Sequence, residues 1–143
     1  MTEATNPQPK QQLAVLTCMD ARIDVFSVLG LEVGDAYVLR NAGGRVTDDV
    51  LRSLTLASHV LGVSRLIVMQ HTRCGLLGVT DEQLRARTGA DLPFLTISDQ
   101  TESVRGDVAQ LAQVDYLSPI LQIEGAIYDL DRETVDTVVR WER

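Results

Sequence analysis

Residues 15–25 read VLTCMDARIDV. An unbroken apolar run, LAVLT at 13–17, leads directly into Cys18, Asp20 and Arg22, each two apart. Such a short continuous run reads as a strand buried on both faces, the kind found in parallel sheets covered by helices. Its carboxyl end is where open α/β sheets gather their ligands. On an extended chain alternate side chains share a face, so the three residues project together if extension persists through them. A thiol, a carboxylate and a guanidinium on one face form a functional cluster, not core packing.

Outward from this stretch, strands and helices alternate. IDVFSVLG (23–30) suits a short helix ended by Gly30, and AYVLR (36–40) a second strand followed by the loop NAGG. Thr47 caps a helix with Asp48 and Asp49 in its first turn, where the helix dipole favours negative charge. Val50, Leu54, Ala57 and Leu61 recur along it at helical spacing, and Gly62 closes it. RLIVMQ (65–70) is a third buried strand. Thr80 with Gln83 forms a capping box for a short helix ending at Gly89. The segment 90–100, ADLPFLTISDQ, has no period, while Val104, Val108 and Leu111 mark another helix. ILQIEGAIYDL and ETVDTVVRW read as two antiparallel strands, with Ile123, Ile127, Val135, Val139 and Trp141 in alternate positions.

This order predicts an α/β fold: a mostly parallel central sheet with flanking helices and a C-terminal antiparallel edge hairpin. One domain is expected over 13–143, preceded by a flexible polar tail, MTEATNPQPKQQ, over 1–12. The chain has 143 residues, 45% of them hydrophobic, with net charge -7 and pI about 4.7. An acidic chain without a Lys/Arg block is not expected to bind nucleic acid. No apolar stretch approaches the ~20 residues of a membrane span, and the N-terminus lacks a signal-peptide core. A cytoplasmic protein is expected.

The second informative stretch is VMQHTRCGL (68–76), also at the end of a buried strand. His71 and Cys74, three apart, can turn toward one centre. With Cys18 they offer two sulfurs and one nitrogen, the donor set of a catalytic Cys₂His zinc site. The fourth place falls to Asp20 or to water. Either cysteine alone would be an ordinary buried residue, and an Asp–Arg pair an ordinary surface pair. Their conjunction at two strand ends, in a chain with only two cysteines and two histidines, favours metal chemistry. His59, mid-helix without ligand-like neighbours, reads as a packing or interface residue.

At these residues the chain resembles the β-class carbonic anhydrases of the small bacterial type. The resemblance rests on C-M-D-A-R (18–22), R-N-A-G-G (40–44), T-D-D-V (47–50), H-T-R-C-G (71–75) and E-G-A-I-Y-D (124–129). It implies one Zn²⁺ per subunit held by Cys18, His71 and Cys74, with Asp20 and Arg22 as the catalytic dyad beside it. It further implies reversible hydration of CO₂ to bicarbonate and a proton by a zinc-bound hydroxide. In an open state Arg22 would hold Asp20 off the metal; in a closed state Asp20 would fill the fourth position. Because two thiolates cancel the zinc charge, activity is expected to rise with pH.

The family's cleft lies at a homodimer interface, where Asn41, Ala42, Gly43 and Gly44 would form a substrate loop approaching the zinc-bound ligand. Glu32 stands where plant-type members carry a substrate-binding glutamine, and Arg73 stands between the ligands where aspartate or another polar residue is common. Hydrolysis of carbonyl sulfide or carbon disulfide at the same site is the alternative chemistry. A non-catalytic zinc or thiol redox sensor is the alternative of another class.

Overall fold

The computed structural model describes residues 6–143. Five strands form one sheet in the order β2-β1-β3-β4-β5. They are β1 (Leu13–Cys18), β2 (Ala36–Asn41), β3 (Arg65–His71), β4 (Gln122–Asp129) and β5 (Thr134–Glu142). The first four run parallel to their neighbours, and β5 returns antiparallel on β4. This is the predicted architecture. Among the described residues no helix is long and apolar enough to cross a membrane.

β1 lies between β2 and β3, and every residue in it is buried. Its side chains alternate between two cores. Ala14 and Leu16 join Leu66, Val68 and Ile123 under the helices α2 (Asp48–His59) and α4 (Gln100–Ala112). Leu13 and Val15 join Met69, Ala126 and Tyr128 on the opposite face, covered by Ile23 and by α1 (Val25–Leu29). Because β1 and β3 are adjacent and parallel, Cys18 and His71 end at the same edge of the sheet.

Local signals set most helix ends. Thr47 accepts from the Val50 amide, and Thr80 and Gln83 form both bonds of the capping box on α3 (Asp81–Thr88). α2 departs from expectation by ending at His59 rather than Gly62; the Val63 amide binds back to Ala57 across the intervening turn. His59 is exposed, and its Nε2 lies 2.7 Å from the Tyr116 carbonyl. α1 is shorter than its pattern, because the Asp24 carboxylate caps it at the Ser27 amide.

Two other expectations are corrected. β5 does not keep Val135 in phase with Val139 and Trp141: Gly125 pairs with Val139 but Ala126 pairs with Thr137, which leaves Val138 as an extra residue. This bulge sends Val139 and Trp141 to the α2–α4 core and Val135 to the other. Residues 1–5 of the expected tail lie outside the described residues. Farther along it, Pro9 is buried, and the Lys10 and Gln11 amides donate to Gly34 and Asp35. The Tyr37 hydroxyl donates to the Pro7 carbonyl, so this part of the segment is fastened rather than loose.

Candidate metal centre and dyad

β1 stops at Cys18, and the chain does not stay extended through Arg22. Instead it turns: the Arg22 amide donates to Asp20 Oδ1 at 2.8 Å and the Ile23 amide to the Asp20 carbonyl at 3.3 Å. A short side chain that bonds the backbone two residues on is a common way to fold a turn. This turn, not strand pleating, brings Arg22 back onto Asp20. Arg40 holds it from outside, donating to the carbonyls of Cys18 (2.9 Å), Asp20 (2.7 Å) and Ile23 (3.1 Å).

The ligand atoms of Cys18, His71 and Cys74 all lie within 4.8 Å of one another, and all three residues are buried. His71 Nδ1 is 2.6 Å from the Thr72 carbonyl. A carbonyl only accepts, so Nδ1 carries the proton and Nε2 presents a lone pair. Nε2 is buried and has no hydrogen-bond partner. A buried polar atom left so is costly unless something binds it. Burial also pushes the His71 pKa down, favouring the neutral imidazole that a metal requires. Two sulfurs and this nitrogen therefore fit zinc, which takes such donors at about 2.0–2.3 Å. Burial pushes the Cys74 thiol up, away from thiolate, so a metal bound there must displace its proton.

Asp20 lies at the edge of this triangle, with Oδ2 3.6 Å from His71 Nε2. Arg22 grips it with Nε on Oδ1 at 2.9 Å and Nη2 on Oδ2 at 2.7 Å. This side-chain hydrogen bonding holds the Asp20 carboxyl well below the usual carboxylate range. Nη2 also donates to the Arg73 carbonyl at 2.9 Å. Arg73 occupies the left-handed region (φ 56), and its side chain pairs with Asp131 at 3.0 Å. Its role is thus ionic and structural, tying the ligand turn to the β4–β5 hairpin.

A family model described as Carbonic anhydrase matches residues 13–110. Beta-carbonic anhydrase 1 of Mycobacterium tuberculosis is 35% identical over 128 residues, covering 85% of this chain and 78% of its own. The chain belongs to the β-carbonic anhydrase family. The crystal structure of carbonic anhydrase from Streptococcus mutans has a TM-score of 0.85 at 45% identity, covering 92% of this chain and 84% of that one. A carbon disulfide hydrolase from Acidianus is 46% identical over 74 residues, which is 52% of this chain and 36% of the hydrolase. β-Carbonic anhydrases are zinc lyases, and the Cys18–His71–Cys74 cluster of this member suits that metal.

The loop Asn41–Gly44 of this β-carbonic anhydrase differs in detail from the expected substrate loop. The Asn41 side chain folds back, accepting from the Arg45 amide (2.9 Å) and donating to the Arg45 carbonyl (2.8 Å). Ala42–Gly44 form a 3₁₀ turn that aims the Gly43 amide at Cys18 Sγ, 3.3 Å away. Gly44 has φ +64, and a Cβ there would sit 2.8 Å from the Thr17 carbonyl carbon and 2.9 Å from the Cys18 nitrogen. Its close approach is to the ligand's own strand. Glu32 is exposed, and its backbone N–H and carbonyl are both engaged by Asp35.

Sequence reasoning missed Arg40 and Arg45, both of which brace the site. Arg40 opens the R-N-A-G-G landmark and Arg45 directly follows it, but neither position alone reveals a bracing role.

Proposed function

We propose that this chain hydrates CO₂ reversibly to bicarbonate and a proton at a Zn²⁺ held by Cys18, His71 and Cys74, with Asp20 and Arg22 as the catalytic dyad. The observation that carries this reading is one buried triangle: two thiols and an imidazole nitrogen without a hydrogen-bond partner, bordered by an arginine-held carboxylate. Zinc, when bound, supplies a Lewis acid that makes water nucleophilic near neutral pH.

The chain's own groups do the rest. Thr72 fixes the His71 tautomer. Arg22 engages both Asp20 oxygens, so the carboxylate is drawn toward the guanidinium and stays ionised, an acceptor only. With zinc bound, Asp20 would be an acceptor able to orient an O–H donor there, lone pair toward incoming CO₂. Within Asn41, Ala42, Gly43 and Gly44, the substrate-loop candidates, the Gly43 amide and the Gly44 backbone also brace Cys18.

Carbon disulfide or carbonyl sulfide is the second reading, favoured by the identity shared with carbon disulfide hydrolases over 74 residues. These are linear triatomic molecules like CO₂, and the attack would be the same. Turnover of CO₂, COS and CS₂ by one preparation of measured zinc content tests both. A far larger efficiency with COS or CS₂ would replace CO₂ as substrate, and a protein that takes up no zinc would remove the reading altogether. We further propose a cytoplasmic homodimer or dimer-based oligomer, with no nucleic-acid or membrane partner. The family resemblance supports the dimer, and the acidic composition, with net charge -7, supports the lack of a nucleic-acid partner.

A further inference from the structure

We propose that the Arg45–Asp107 ion pair is a remote positioning unit. It holds the Gly43 amide on the Cys18 sulfur and so sets how strongly that sulfur donates to the metal. The inference rests on the zinc reading of Cys18, His71 and Cys74 and deepens it.

Arg45 ends the 3₁₀ turn and reaches across to α4, with Nε on Asp107 Oδ2 at 2.8 Å and Nη2 on Oδ1 at 3.0 Å. Both side chains are largely buried, at 15% and 6% exposure. Nη1 donates to the Leu95 carbonyl at 2.6 Å. The Arg45 backbone is clamped at both its polar groups by the Asn41 side chain. The turn is therefore pinned at both ends, and Gly44 rests against the Thr17–Cys18 backbone. Little freedom is left for the residue between, whose N–H meets Cys18 Sγ. Buried ion pairs add little net stability over apolar side chains of like volume. What this pair adds is direction, because a forked guanidinium fixes angle as well as distance.

A hydrogen bond to a thiolate withdraws charge from sulfur, so a metal beside it keeps more of its own positive charge. Partners behind metal ligands commonly govern affinity by 10–100-fold.

The test uses full-length protein with R45K and with the double variant R45M/D107L, whose apolar pair is expected to preserve folding. A third variant, L117A, removes a buried core side chain of the α2–α4 cluster and controls for lost stability. Three quantities are read: zinc affinity by chelator competition, the sulfur-to-cobalt charge-transfer band after Co²⁺ substitution, and the Gly43 amide proton resonance of metal-free protein. In R45K and R45M/D107L the sulfur donates more charge but loses its fixed direction, and zinc affinity is expected to fall about tenfold from that lost preorganisation. The band should move to lower energy and the Gly43 resonance upfield, while L117A changes only its melting temperature. Folded variants with wild-type affinity, band and resonance would overturn the proposal and leave the zinc reading intact. Wild-type protein that takes up neither zinc nor cobalt would overturn both.

Discussion

Both side-chain oxygens of Asp20 are engaged by Arg22, at 2.9 Å and 2.7 Å, while Oδ2 remains 3.6 Å from His71 Nε2. The carboxylate thus stands beside the proposed metal site, held by the guanidinium on both oxygens. If its task is to orient a proton donor rather than to ligate, removing its charge should spare the metal. In D20N and D20A, zinc content is expected to match wild type, while kcat/KM for CO₂ falls about 10²–10³-fold. Metal analysis alongside stopped-flow hydration checks this. Loss of zinc together with activity would mark Asp20 as a ligand, and unchanged turnover would show that Asp20 has no part in catalysis.

Arg22 is a fork, and lysine is a point charge that cannot engage both oxygens in one plane. In R22K the carboxylate is released toward the metal and competes with hydroxide for the fourth place. Rising pH supplies more hydroxide, so it shifts this competition toward the active form. The expected outcome is activity below wild type at neutral pH, with a variant-to-wild-type ratio that grows as the medium becomes alkaline. A constant ratio over that range would show that Arg22 does not restrain Asp20.

The legible features of this chain are those carried by neighbours in sequence. The capping box at Thr80–Gln83, the cap at Thr47 and the buried runs ending at Cys18 and His71 follow from local propensity and pattern. The candidate metal residues stand out because their donor chemistry is rare in this chain. Arg45 and Asp107 are 62 positions apart and are merely two of many charges until the fold pairs them. Arg73 in the left-handed region and the bulge at Val138 are likewise set by tertiary contacts, against the local preference of those residue types. The turn after Cys18 was obscured because C-x-D-x-R fits a pleated strand equally well; only the Asx bond from Arg22 decides it.

Gly44 and Gly106 should respond oppositely to alanine. At Gly44 a methyl group meets the Thr17–Cys18 backbone at 2.8–2.9 Å with φ +64, and backbone cannot step aside as a flexible side chain can. G44A is expected to destabilise by about 1–3 kcal/mol and to weaken zinc binding, since the strained atoms include the ligand's own nitrogen. Gly106 lies inside α4, and beyond its chain neighbours and the helix's own backbone nothing comes within 4 Å of an added Cβ. G106A is expected to stabilise by about 0.5–1 kcal/mol through helix propensity alone. Denaturant unfolding of both variants checks the signs.

Asp81 ties α3 to the segment that bears on the proposed site. Its carboxylate accepts from the Phe94 amide at 3.0 Å and the Thr96 amide at 3.1 Å, while α3 buries none of its own residues. The same segment offers the Leu95 carbonyl to Arg45 and packs Ile97 beside Cys18 and Cys74. The bonds from Thr96, with that from Phe94, pull the Asp81 pKa down from its ordinary 3.8. With the folded value below the unfolded one, this stabilisation is complete above the ordinary carboxylate range and is lost as pH falls through the folded value. Exchange of the Phe94 and Thr96 amides, normalised to intrinsic rates, should therefore lose protection in acid. D81A should abolish that protection already at neutral pH, with little change in global melting temperature. Wild-type protection of both amides in D81A at neutral pH would show that the segment is held by its apolar contacts instead.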